Sequence, residues 1–270
     1  MSTHWFLQEK HVEFRNTLSA IVDGAAIDLR RSDARATLGD EHDQCQYLFT
    51  KMYTSMQGRQ DDLTKAVLCC SRIPDPVVEL RYYRSRVKRS KKQPDAQFIE
   101  SETGADFALV LDVSFPGILQ AQRSVLGQAK ILDGSSIALD DQQLEQILRV
   151  AGPESAAYLI WGENQGPTVV SAENIAASRR TQRADRLPNS ILPFGRPLSE
   201  FFSEAFIGLW FGKDYTPEKA RENPPKTSVA ILYHFLHTGV PPPNVVSFGI
   251  MSGKLLGVRP GVYVNDVVDL

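Results

Sequence analysis

The chain has 270 residues, 42% of them hydrophobic, enough to bury one large core or one core with a small appendage. Its 30 Lys and Arg against 32 Asp and Glu leave a net charge of -2, which excludes a global field drawing the whole molecule onto nucleic acid; such affinity has to come from local basic patches. Three cysteines (Cys45, Cys69, Cys70) are too few for a disulfide framework, and with no apolar run of about 20 residues and no signal-peptide core the expectation is a cytoplasmic protein without membrane contact.

In chain order, Asp40 is placed to cap a helix whose apolar positions Cys45, Leu48, Phe49, Met52 and Met56 follow three-four spacing. A second helix is expected after Pro76, carrying Val77, Val78, Leu80 and Val87. It runs into a basic string of seven cations within residues 81–92: Arg81, Arg84, Arg86, Lys88, Arg89, Lys91 and Lys92. The periodicity then changes to strands: a short one over Ala96 to Ile99, a longer one over Ala105 to Phe115, and a third over Ser124 to Leu132 after the Pro116-Gly117 loop. Asp140 and Gln143 form a capping box for a helix with Leu144, Ile147, Leu148 and Ala151 as its buried stripe, stopped by Gly152-Pro153. Ala156 to Trp161 is an apolar run of strand length, as expected for a strand buried on both faces.

Further on, Arg179, Arg180, Arg183 and Arg186 form a second basic cluster, and Leu198, Phe201, Phe202, Ala205, Phe206 and Leu209 a helical stripe. The Pro-rich remainder contains the strand-like runs Val245 to Ile250 and Val262 to Val268, to which pattern alone assigns no place. The whole reads as a single α/β domain over residues 1–270, with a core of about 40–210, a mixed sheet flanked by helices, a helical N-terminal elaboration and an irregular C-terminal extension of about 211–270.

On the long strand Asp106, Ala108, Val110 and Asp112 share a face, and on the next Gln128 and Lys130 do so. A hairpin of this kind brings Asp106, Gln128 and Lys130 together. Carboxylate and amide oxygens suit Mg²⁺ or Mn²⁺, and an ammonium offsets charge developing on a phosphate, as phosphodiester hydrolysis requires. A salt bridge between strand residues is the plainer reading of the same side chains.

Asp106 followed by Gln128-Ala129-Lys130 resembles the PD-(D/E)XK motif of the restriction-endonuclease-like nucleases, in the variant with Gln for the second acid. The resemblance covers residues 95–162, and 40–210 more loosely. It implies a restriction-endonuclease-like core, a Mg²⁺- or Mn²⁺-dependent endonuclease acting on DNA, and a setting in bacterial antiphage defence with partner proteins and room for a homodimer. It further implies that Asp106, Gln128 and the Ala129 carbonyl hold the metal and that Lys130 is catalytic. The family's additional acid from the first core helix is expected at Glu41, a metal ligand, with Glu79, Glu100 and Glu102 as alternatives. Arg84, Arg86, Lys88, Arg89 and Lys91 are the expected DNA contacts, with Tyr82 and Tyr83 open to stacking on bases or to the core. A catalytically idle protein of the same fold, binding nucleic acid or scaffolding a complex, is the rival expectation.

Overall fold

A computed structural model describes residues 11–30, 40–69, 75–84, 104–115, 119–162, 165–182, 186–208, 211–214 and 242–269. Three helices come first: α1 (Val12–Arg30), α2 (Glu41–Gly58) and α3 (Gln60–Cys69). The strands are β1 (Pro76–Arg84), β2 (Phe107–Phe115), β3 (Leu119–Ile131), β4 (Ser136–Ala138), β5 (Ala156–Trp161), β6 (Thr168–Ser171), β7 (Arg186–Pro188), β8 (Arg196–Pro197), β9 (Lys213–Asp214), β10 (Asn244–Ser252), β11 (Gly261–Val264) and β12 (Val268–Asp269). Helix α4 (Asp141–Ala151) joins β4 to β5, and α5 (Ala172–Gln182) follows β6.

Among the described residues ten strands form one mixed sheet in the order β11-β1-β10-β2-β3-β5-β6-β8, with β12 on β1 and β9 on β3. One face carries α1, α2, α3 and the π-helical segment Phe201–Phe206 over a core that includes Phe49, Phe107, Leu109, Val125, Leu159 and Phe248. The opposite face carries α4 and α5 over Ala108, Val110, Leu126, Tyr158 and Ile160. Odd and even positions of β2 and β3 feed the two cores separately, as period-two alternation requires. The result is a mixed sheet with helices on both faces, and no helix among the described residues is long and apolar enough to cross a membrane.

The expected α2 is present with its cap: the Asp40 side chain accepts the Asp43 N–H at 3.0 Å. The helix of 141–151 is also as expected, with Asp140 accepting from Gln142 N and Gln143 N. β5 is buried at all six positions. The hairpin forms with slightly different bounds, Phe107–Phe115 and Leu119–Ile131, so Asp106 lies just before its strand rather than inside it.

Two expectations need correction. The segment after Pro76 is strand β1, not a helix, because it is clamped between β10 and β11 and buried on both faces; the apolar residues that imitate helical spacing in fact serve both cores. Likewise residues 244–252, within the expected C-terminal extension, are not peripheral. β10 lies between β1 and β2, antiparallel to the first and parallel to the second, and eight of its nine residues are buried. The expected strand over 96–99 and Leu209 lie outside the described residues.

One glycine sets the packing of the central hairpin. Gly127 faces Phe107 across β2 and β3, and a Cβ on it would lie 1.8 Å from the Phe107 ring. Gly127→Ala is therefore expected to cost about 1–3 kcal/mol by overpacking, measured by urea unfolding. In a Phe107→Ala background the same change should cost much less; equal costs in both backgrounds would show that ring and strand do not meet.

Candidate metal and phosphate site

β3 outruns its neighbour. Phe107 is the first residue of β2 and pairs with Gly127, whereas β3 continues to Ile131. On its other side β3 stays paired with β5 as far as Ile131, and Leu126 N and Leu132 N point that way. Alternation then directs Ala129 and Ile131, with both N–H and C=O, toward the side where β2 has ended. Backbone donors in so buried a place require acceptors, and two carboxylates supply them. Asp106 Oδ2 accepts from Ala129 N at 2.7 Å and Glu41 Oε1 from Ile131 N at 3.0 Å.

The same two carboxylates gather the other residues. Gln128 Nε2 donates to Asp106 Oδ2 at 2.9 Å, and Lys130 Nζ donates to Glu41 Oε2 at 3.2 Å. Asp106 is 6% exposed and Gln128 1%, so the amide forms the floor. The Glu41 side chain retains 37% exposure and forms the mouth. Asp106, Gln128, Lys130 and Glu41, from three separate stretches of chain, thus share the edge of β3 that no described strand pairs beyond the end of β2, toward which the Ala129 carbonyl also points.

Three anchors hold this arrangement. Trp161 Nε1, at the end of β5, donates to Gln44 Oε1 at 2.9 Å, seating the first turn of α2 and with it Glu41. Asn244 Nδ2, at the start of β10, donates to the Asp106 backbone carbonyl at 3.2 Å, and its Oδ1 accepts from Tyr82 OH at 2.8 Å; both side chains are buried. The turn before Asp106 uses Gly104 at φ +63, packed so that a Cβ would lie 2.8 Å from the Gln143 carbonyl of α4. No side chain larger than hydrogen fits there, in space or in backbone conformation.

Cys45 stands one helical turn beyond Glu41 and is fully buried. Burial first, then the charges of Asp106 and Glu41, hold its thiol well above the ordinary range. On the opposite face Tyr158 is pushed up by burial, then by Asp106, Asp140 and Asp141, and remains a neutral phenol.

Other expected residues fall elsewhere. Glu79 registers with Gly249 and through it with Asp112, which lies roughly 20 Å along β2 from Asp106 at about 3.3 Å per residue. It is engaged there by Arg81 at 2.6 Å and by Asn265 at 2.6 Å. The structure therefore removes Glu79 from the alternatives; Glu100 and Glu102 lie outside the described residues. Of the basic string, Arg84 ends β1, while Arg86, Lys88, Arg89 and Lys91 lie outside the described residues. Tyr82 and Tyr83 are core residues, at 0% and 5% exposure, and are not available to stack on bases. In the second basic cluster Arg179 forms a two-point contact with Asp141 at 2.8 and 2.9 Å, and Arg186 holds Asp133 at 2.8 Å, tying elements together. Asn244, Gln44, Trp161 and Tyr158 escaped sequence reasoning. A polar tip inside the otherwise apolar β5 run was the one signal available.

The donor set fits a hard divalent cation. It offers two carboxylates, an inward carbonyl and Gln128 Oε1, a buried amide oxygen without a hydrogen-bond partner. No group of three or more His, Cys, Asp or Glu suited to a metal occurs among the described residues, so such a cation would rest on this mixed oxygen set. Comparison with protein families, with curated proteins and with solved structures finds no match to the chain.

The state of Cys45 is directly testable. Iodoacetamide at pH 8 should modify exposed Cys69 and spare Cys45 until the protein unfolds; equal rates at the two would contradict this burial. Because the folded state favours the protonated thiol, its contribution to stability is present below the ordinary thiol pKa of about 8.5 and is lost as pH rises through the folded value. The melting temperature should accordingly fall on the alkaline side, and less steeply in Cys45→Ala.

Proposed function

We propose that this chain is a divalent-metal-dependent nuclease that hydrolyses DNA phosphodiester bonds at the open edge of β3, on a core of restriction-endonuclease-like kind. The observation that carries the reading is the meeting of Asp106, Gln128, Lys130 and Glu41 around an edge whose buried amide oxygen has no partner. Asp106, Gln128 and Glu41, with the Ala129 carbonyl, are the residues to hold Mg²⁺ or Mn²⁺. When bound, such an ion supplies Lewis acidity toward a phosphoryl oxygen and lowers the pKa of a bound water.

The protein side of the chemistry follows from where the groups stand. Asp106 and Glu41 hold negative charge at fixed points because backbone N–H groups grip their oxygens, so little reorganisation is needed to receive a cation. Lys130 is kept at the mouth by Glu41, with its side chain only 13% exposed, where an ammonium opposes the charge that gathers on a phosphate under attack. Gln128, being neutral, completes the ligand set without adding negative charge. Phosphates beyond the scissile one are assigned to Arg84, Arg86, Lys88, Arg89 and Lys91, at the end of β1 and beyond. A role in bacterial antiphage defence, with partner proteins, rests on the motif resemblance. One observation favours a catalytically idle fold instead: the set contains two carboxylates where a third would be the commoner arrangement.

Plasmid nicking with Mg²⁺, Mn²⁺ and EDTA tests the proposal. Wild type should cleave with either metal and not with EDTA, and Lys130→Ala should abolish cleavage while leaving DNA affinity nearly intact. Reversal of Arg84, Arg86, Lys88 and Arg89 to Glu should do the opposite, weakening binding and flattening the slope of log K against log salt by roughly 3 to 4. Absence of cleavage by wild type with both metals, together with an inert Lys130→Ala, would favour the idle fold.

A further inference from the structure

Two buried polar atoms at the floor of this site have no hydrogen-bond partner among the described residues: Gln128 Oε1 and the Tyr158 hydroxyl. They belong to neighbours. β3 and β5 run parallel with Gln128 opposite Tyr158, so the two side chains stand side by side on one face of the sheet. Exposure is 1% for Gln128 and 0% for Tyr158. The surroundings on that face are apolar, with Leu126, Ala156 and Ile160 on the same two strands. A buried hydroxyl without a partner costs stability, and phenylalanine would fill the same space without that cost.

The amide has two possible orientations. In this structure Gln128 Nε2 donates to Asp106 Oδ2, and Oε1 is turned away. For Gln128 to present its oxygen beside Asp106 to a cation, the amide must rotate by half a turn, which carries Nε2 to the place where Oε1 now lies. The group next to that place must therefore accept from an N–H in one state and donate to a carbonyl oxygen in the other. A hydroxyl does both; a carboxylate, an ammonium or a carbonyl does only one. The two groups form no direct bond, and one buried water is the simplest bridge between them, since water also donates and accepts.

We propose that Tyr158 is a positioning residue of the cation site: through one buried water its hydroxyl partners the Gln128 amide in either orientation, allowing Gln128 to change from holding Asp106 to ligating the metal. This rests on the metal-site reading above. Tyr158 touches neither metal nor substrate and acts only through Gln128.

The experiment compares wild type, Tyr158→Phe and Asp106→Ala by Mn²⁺ titration, using calorimetry and the loss of the free Mn²⁺ paramagnetic resonance signal, and by thermal melting in EDTA. The expected result for Tyr158→Phe is a melting temperature close to that of wild type, only one water-mediated bond being lost, with Mn²⁺ affinity lowered about 10- to 100-fold, the range for groups that orient a ligand. Asp106→Ala should lose Mn²⁺ binding altogether. Wild-type Mn²⁺ affinity in Tyr158→Phe, with Asp106→Ala defective, would overturn the role of Tyr158 and leave the metal site standing. A clear drop in melting temperature for Tyr158→Phe would also overturn it, since the hydroxyl would then serve the fold. Failure of the wild type to bind Mn²⁺ would overturn both readings together.

Discussion

The difference in length between β3 and β2 governs the rest of this molecule. Where β2 stops, β3 presents N–H groups at Ala129 and Ile131 that no described strand covers on that side, the first fully buried and the second half-buried. Carboxylates from two distant segments act as substitute acceptors, so the fold's own hydrogen-bond accounting brings negative charge to one spot. The groups that look like chemical machinery are also the ones that end a ladder. Their positions are accordingly set by backbone geometry rather than by flexible side-chain packing.

The anchors extend this logic outward. α2 is seated through Gln44 on Trp161, Asp106 is held at its carbonyl by Asn244, and Asn244 is held in turn by Tyr82. These bonds link the first helices, the central hairpin, the crossover strand and the late strand β10. Each is made by a buried side chain whose donors and acceptors are largely used up, an arrangement that favours one geometry over near alternatives. Cys45, buried on α2 within the field of both carboxylates, stays neutral in that setting and fills space without adding charge.

Legibility in the sequence followed the range of the interaction. The hairpin was readable because period two is a local property, and α2 and α4 because Asp40 and Asp140 announce their starts. Asp106, Gln128, Lys130 and Glu41 could be singled out because a motif resemblance supplied the pairing that spacing alone leaves open. β1 was misread because a strand buried on both faces loses its alternation, and Val77, Val78 and Leu80 then satisfy helical spacing equally well. The strand character of residues 245–250 was visible, but not their position, which depends on partners more than 130 residues away in sequence. Asn244 carries no local signature, and Tyr158 only that of a polar tip in an apolar run; their meaning comes from which atom they face.

The interior placement of β10 also bears on when this protein can act. A chain emerging from the ribosome makes β1, β2 and β3 long before residues 244–252, and until then β1 and β2 each present an open edge. Those edges are sticky toward other chains, so the nascent protein needs shielding until β10 has been made. During the same interval Asp106 lacks the grip of Asn244 on its carbonyl. The site is therefore completed only once residues 244–252 have been made, and a chain terminated before them does not carry a finished site.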